Sequence, residues 1–486
     1  MRSRLTAALA AFAMLGLAPS LAMAEDVQEQ LRQMQDRLQT MEDKLQATND
    51  QLGAANQRVE EQSDLIESSG LADGRGASSG LGCLVCDWRI GGWVAGSYNY
   101  NLNDPNDAEH DGLGGTNLGL FGLYDPLHPD HNSFALDQVW FEIEKEISEE
   151  NRAGFRLDFV YGKTAKWLNG GGAWGGLASD TGLFDDSALY IHQAYVQYAP
   201  PIGPEGTTFK FGKFATLIGA EVPGTIYNYN ITRGQVWNLF EPVDHIGILV
   251  GGPIGESGFD WAVGGVNGFL QDDPDRNDRK SVTGHLGWSS EQFALGLNGI
   301  WGGETRAFDG DETGTVNLLA KWTPSDRFGM YVNGDFGWMD EPQGTDLDPY
   351  GWGVSIAGRY GITERMGIAL RGEFARDSDG FVACSGKFGG LQDNFCNGLV
   401  VAGETPELDA LWSGTLTLDY LLTDQLMIRA EARYDNADLD GEVEDEELLI
   451  DLSDADAYFE DADDFDDDQI TLFFEVVYNF NKFIGD

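Results

Sequence analysis

The sequence predicts an all-β transmembrane antiparallel β-barrel of about sixteen strands, preceded by an N-terminal coiled-coil helix. Three observations predict it. A 3.5-residue apolar repeat is confined to residues 26–67, a period of two runs from Trp88 onward, and the connections between the alternating segments are short and long in succession. Composition agrees: 64 Gly, 12% aromatic residues and only 15 Pro in 486 residues fit a large β protein and neither a disordered nor a collagenous chain. A net charge of -51 excludes nucleic acid as a partner, because phosphate binding is built from Lys/Arg patches.

Residues 1–24 read as a signal peptide. Arg2 and Arg4 precede an apolar run from Leu5 to Leu17, which is too short to span a membrane, and the small-residue site Ala22-Met23-Ala24 puts the expected mature start at Glu25. Residues 25–67 read as a periplasmic coiled coil. Leu31, Leu38, Leu45, Leu52, Val59 and Ile66 form one apolar row; Val27, Met34, Met41, Thr48, Ala55 and Gln62 form the other. So narrow a seam leaves apolar surface wet unless copies associate, which points to a homotrimer or a dimer and a stalk reaching about 60 Å. The alternative is a lone amphipathic helix packed on the barrel.

Residues 68–87 are a Gly/Ser-rich connector ending in the C-x-x-C of Cys83 and Cys86. That pair reads as a structural disulfide or free thiols, with a redox or half-metal site as the other possibility; no βαβ context or second C-x-x-C accompanies it. Cys384 and Cys396 form a second local pair, suited to a loop disulfide in an oxidising compartment.

Residues 88–480 read as the outer-membrane barrel. Short connections include 148–151, 289–291, 325–327, 363–365 and 423–424; long ones are 102–132, 163–187, 220–245, 270–280, 304–314, 341–350, 380–408 and 438–468. In bacterial outer-membrane barrels the turns are periplasmic and the loops extracellular, which orients the chain in a Gram-negative outer membrane with lipid against its apolar face. The last strand shows the pattern best: Ile470, Leu472, Phe474, Val476, Tyr478 and Phe480 lie on one face, Thr471, Glu475 and Asn479 on the other. Residues 481–486 are left as a C-terminal tail.

If apolar residues face lipid, their alternates face the lumen. The inward, pore-lining set is charged: Glu142, Glu144, Arg156, Asp158, Lys210, Lys321, Asp335, Arg359, Arg371, Glu373, Asp419, Arg429, Glu431, Arg433 and Glu475. A soluble sandwich cannot bury such a face, and a barrel this wide leaves an aqueous lumen unless loops or a plug fill it. The loop 220–245, with Tyr227, Tyr229, Trp237 and Phe240, is aromatic and sparsely charged. It either folds into the lumen as a constriction or packs over the rim or a subunit contact.

The stretch FKFGKFATLIGAEVPGTIYNYNITRGQVWNLFEPVDHIGILV, residues 209–250, resembles the OmpL-like β-barrel porin family, the outer-membrane β-barrel porin 2 group. The matching positions are Gly212, Ile218, Gly219, Glu221, Asn230, Pro242, His245 and Gly247, and the upstream strand QVWFEIEKEISEENRAGFRLDFVYG is similar to the same group. The resemblance implies a porin-like channel of unassigned substrate, passing small hydrophilic solutes or ions, and supplies no catalytic residues. No nucleophile elbow, phosphate loop or H-E-x-x-H occurs, so no enzyme activity is expected. The rival expectation is a structural envelope tether or surface adhesin with cation-binding acidic loops.

Asp435 to Asp468 contains no Lys or Arg. Within it Asn436, Asp438, Asp440, Glu442 and Glu447 match ligand positions of a calcium-loop pattern, with Asn at the first position and no flanking helices evident, so calcium is a possible cofactor beside looser divalent binding or a plain solvated loop. His128 and His131 flank Pro129-Asp130 and read as loop polarity rather than a metal site. The acidic loop leads to an expected mild cation preference.

Overall fold

The computed structural model describes residues 88–103, 127–128, 132–148, 151–169, 188–269, 278–303, 312–340, 348–378, 381, 407–440 and 468–483. The expected signal peptide, coiled coil and connector lie outside these residues, as do all four cysteines, Glu442, Glu447 and most of the acidic run.

Sixteen long strands follow the alternating segments in order. They are β1 (Trp88–Asn101), β2 (Ser133–Lys145), β3 (Ala153–Tyr161), β4 (Leu189–Tyr198), β5 (Thr208–Ala215), β6 (Asp244–Pro253), β7 (Phe259–Val266) and β8 (Ser281–Ser289), then β9 (Phe293–Gly303), β10 (Glu312–Ser325), β11 (Phe328–Asp340), β12 (Tyr350–Gly361), β13 (Met366–Ser378), β14 (Glu407–Leu421), β15 (Leu426–Asp440) and β16 (Asp468–Asn479). Each pairs antiparallel with its sequence neighbours, and β1 pairs with β16 through Trp93↔Asn479 to Asn101↔Thr471, which closes the barrel and leaves no long edge. A two-residue β17 (Lys482–Phe483) pairs with Arg89 and Ile90, so the chain beyond Phe480 continues the last strand's ladder. Gly92 N–H donates to Asn481 Oδ1 at 2.5 Å beside it.

The sequence dictates which face is which. Leu286, Leu295, Leu297, Leu318, Ile356, Leu370, Leu418 and Phe474 are exposed on the outside although nothing polar surrounds them on that face. Tyr198, Phe209, Phe293, Trp322, Tyr360, Tyr420 and Tyr478 ring the short-turn end; Tyr161, Trp301, Tyr350, Trp352, Trp412 and Tyr434 ring the long-loop end. An apolar band between two aromatic girdles is the surface a bilayer selects. Among the described residues no helix is long and apolar enough to cross a membrane.

The interior is polar where a soluble sheet packing would be apolar. Thr315, Asn317, Asn333, Asp335, Arg371, Glu373, Thr417, Arg429, Glu431, Arg433 and Glu475 are all buried on the inner wall. Such groups cannot be dry and unpaired, so something polar must fill the space they face.

Candidate pore constriction

That filling is the β5–β6 loop, residues 216–243, which leaves the rim and crosses the lumen. Its path follows from its sequence. Gly219 sits at φ 93°, and a Cβ there would fall 1.6 Å from Glu241 Oε2, so only glycine lets the entering and leaving limbs touch. A 3₁₀ turn, Thr225–Tyr227, and a short helix α2, Gln235–Phe240, shape the crossing segment. Every residue of α2 is buried, and Phe240 packs where Gly351 and Gly353 of β12 leave room.

An irregular segment enclosed in a barrel must have its backbone groups satisfied from outside. The wall carboxylates do this. Glu431 accepts from Ile231 N–H at 2.6 Å and Thr232 N–H at 3.0 Å; Glu373 accepts from Gln235 N–H at 3.0 Å and Val236 N–H at 3.2 Å. The guanidiniums serve the carbonyls. Arg371 Nη1 donates to Thr232 O and to Glu221 Oε1, both at 2.7 Å; Arg433 Nη1 donates to Arg233 O at 2.7 Å while its Nε holds Asp435. Arg429 Nε donates to Glu475 at 2.6 Å, and Glu475 accepts the Thr225 hydroxyl at 2.8 Å. On β7 to β11 a run of side chains, Asp260, His285, Asn298, Asn317 and Asn333, passes hydrogen bonds from strand to strand and ends where Asn333 Nδ2 donates to Glu241 of the loop.

A second insertion joins the first. The β3–β4 connection begins with a helix α1, Lys163–Leu168, whose Thr164, Ala165 and Leu168 are buried. Ala165 and Leu168 pack against Trp93, Trp140, Val160 and Tyr190, and the Trp167 ring lies 5.7 Å from that of Trp237 on α2. Gln138 Nε2 ties both together, donating to Thr164 Oγ1 at 3.1 Å and to Pro223 O at 2.7 Å.

The sequence-predicted pore lining therefore divides. Asp158, Asp335, Arg371, Glu373, Asp419, Arg429, Glu431, Arg433 and Glu475 point inward, yet all nine are buried, most of them bonded to the inserted loop in place of open water. Strand parity reports the side of the wall a residue occupies and carries no information on what covers it, so the expectation of water-facing side chains does not hold for these nine. Glu142, Glu144, Arg156, Lys210 and Arg359 are half-buried, and Lys321 is exposed. Arg156 gathers Glu142, Glu144 and Asp158 at 3.3, 3.6 and 2.9 Å. The Tyr227 hydroxyl, on an exposed ring, donates to Glu142 Oε1 at 2.7 Å. Lys210 lies over the Tyr195 ring, 4.8 Å from its centroid.

Asn436, Asp438 and Asp440 stand on β15, paired in register with Trp412, Ala410 and Glu407. A calcium loop needs these three to curl around an ion, whereas here they lie along an extended strand. Among the described residues no cluster of metal-ligating side chains forms. His128 of the expected loop pair sits 3.7 Å from the buried Asp137. Sequence reasoning missed α1, Gln138, Glu221 and Glu241. Only Glu221 carried a signal, as one of the positions of family resemblance; these positions also include Gly219 and Asn230, which the structure places in the loop's anchorage.

Residues 87–480 match the family described as "Putative beta-barrel porin-2, OmpL-like". Comparison with curated proteins returns no match. Similar solved structures include the outer membrane channel DcaP of Acinetobacter baumannii, at 12% identity over 81% of this chain and 97% of that one, with a TM-score of 0.48. An anion-selective porin from Comamonas acidovorans is similar at 9% identity over 81% and 99%, TM-score 0.48. OprB of Pseudomonas putida is similar at 12% identity over 82% and 95%, TM-score 0.47.

Proposed function

The chain belongs to the "Putative beta-barrel porin-2, OmpL-like" family of outer-membrane porins, and from that premise we propose that it passes small hydrophilic solutes or ions by passive diffusion. The observation that carries this reading is the accessible charged wall left beside an anchored loop: Glu142, Glu144, Arg156, Lys210, Lys321 and Arg359 keep contact with water although each projects inward. Such groups serve to attract and pass hydrated solutes, whereas a solid barrel would bury them away from water. Incorporation of the folded protein into planar bilayers tests the proposal. Discrete conductance steps are expected, and a folded barrel that inserts without any would overturn it.

The proposal extends to the assembly: a homotrimer, its stoichiometry aided by the stalk of residues 25–67. The acidic run between β15 and β16 is proposed to hold divalent cations, calcium among them, and to bias the pore mildly towards cations. A Cys384–Cys396 bridge would staple the β13–β14 loop; alkylation without reductant, followed by intact-mass analysis, should find both thiols unlabelled.

A further inference from the structure

We propose that His285 is a selectivity-determining residue of the lumen: a directed chain of hydrogen bonds from the inserted loop fixes a proton on one ring nitrogen, so Asp260 at the other is neutralised only while the ring is cationic. This deepens the channel reading and rests on it.

The direction of the chain is set at its loop end. Asn333 Nδ2 lies 2.8 Å from Glu241 Oε1 and 2.7 Å from Asp335 Oδ2, and an amide turns its nitrogen, not its oxygen, towards two carboxylates. The Asn333 oxygen therefore faces Asn317, whose Nδ2 donates to it and to Asp335 Oδ1, both at 2.9 Å. The Asn317 oxygen points the other way, where it accepts the Gly219 backbone N–H at 3.4 Å and Asn298 Nδ2 at 2.7 Å. A backbone N–H cannot be reversed, so the orientation of Asn317 is fixed twice. Asn298 then presents its oxygen to His285 Nδ1, at 2.5 Å, and Nδ1 must carry a hydrogen.

The other ring nitrogen, Nε2, lies 2.8 Å from Asp260 Oδ2. With one proton held at Nδ1, Nε2 carries a second only in the imidazolium form. Its loss sets a nitrogen lone pair against a carboxylate, and the pair parts. The wall is shaped for the pair: a Cβ on Gly287 would stand 2.6 Å from His285 Nε2 and 2.4 Å from Asp260 Oδ1. Both groups also reach water, the imidazole being 23% and the carboxylate 47% exposed, unlike the wall charges that hold the loop.

Little else on the neighbouring strands can absorb the change. Leu295 and Leu297 of β9 are exposed outside, which leaves Ala294, Gly296 and Asn298 inward; Phe259 and Val263 of β7 do the same for Asp260, Ala262 and Gly264. The charged groups beyond them are Lys321 on β10, beside Glu241 of the loop, and Glu256 and Glu291, exposed on the two flanking turns. The pair is therefore neutral with the ring protonated and singly negative without it. Histidine changes charge between about pH 5 and pH 8, so raising the pH makes this wall more negative. Cations should gain on anions by about twofold, the effect of one charge felt at roughly 8 Å in water.

Two measurements on the full folded chain test the proposal. Reversal potentials in potassium chloride gradients are read at about pH 5 and about pH 8; the parent's cation preference should rise with pH, and the rise in His285→Gln should be smaller by that twofold step. Nitrogen NMR of protein carrying labelled histidine, with the His285 signals identified by their loss in His285→Gln, should show the neutral ring protonated at Nδ1. In Asn298→Ala, which releases Nδ1, the proton should move to Nε2 against Asp260. A neutral parent ring protonated at Nε2, or equal pH responses in parent and His285→Gln, would overturn the proposal. Absence of conductance steps would overturn the channel instead, because the position of the proton is read without current.

Discussion

Arg371 is enclosed between barrel wall and loop, where its guanidinium reaches Glu221, Glu373 and the carbonyl of Thr232. Its loss would strand two buried carboxylates, and breaking a buried pair in this way costs about 3–5 kcal/mol. The strand ladder does not pass through the loop, so the cost falls on loop docking and leaves the barrel closed. Arg371→Met is therefore expected to open residues 216–243 to protease and to raise conductance, while the folded barrel keeps its heat-modifiable migration on gels. A loop as protected as in the parent would contradict this account of the anchorage. Gly219→Ala adds a methyl at positive φ against Glu241 and should lower thermal stability by more than about 1 kcal/mol. Gly414→Ala, on the outer face with nothing within 4 Å of its Cβ, should not.

At the scale of elements, strands were legible because a half-solvated sheet imposes period two, and each strand here is long enough for the period to show. The turns and loops were legible from their alternation. Insertion of loop 220–245 into the lumen was one of the two readings its aromatic, sparsely charged composition offered, but its anchors were hidden, because Glu431 is read on its strand as one inward carboxylate, while the amide it accepts from lies 200 positions away in the chain. Helix α1 was hidden for a different reason: six residues beside a glycine-rich stretch are too few to display a helical period. The calcium pattern falls partly on β15, where the backbone of Asn436 and Asp438 is paired with β14, and partly beyond the described residues. The stalk is the element whose period is clearest and whose partner is unstated. A synthetic peptide of residues 25–67 is expected to sediment as a trimer in solution. A helical monomer at high concentration would favour a helix packed on the barrel and remove the stalk from the account of assembly.

At the scale of the whole molecule two charge populations act over different distances. Much of the inner wall's acidic charge is spent on the loop: Glu373, Glu431 and Glu475 are buried with Arg371, Arg433 and Arg429, and what stays accessible includes Glu142 and Glu144 beside Arg156, Lys210, Lys321 and Arg359. The wall alone therefore gives no cation preference. The chain nevertheless carries a net charge of -51, and the run from Asp435 to Asp468 has no basic residue. Its strands, β15 and β16, end at the rim, so the run starts within reach of the mouth. At physiological salt the Debye length is about 8 Å, and only charge that close to the entrance biases the ions that enter. Reversal potentials in potassium chloride gradients should then show a mild cation preference that grows as salt is lowered. Replacing residues 441–467 by a neutral linker should abolish it, and chelation of divalent cations should enhance it in the parent by unmasking carboxylates. Anion preference in the parent, or identical potentials with and without the acidic run, would place the determinant on the inner wall, where Lys321 and Arg359 already supply charge of the opposite sign.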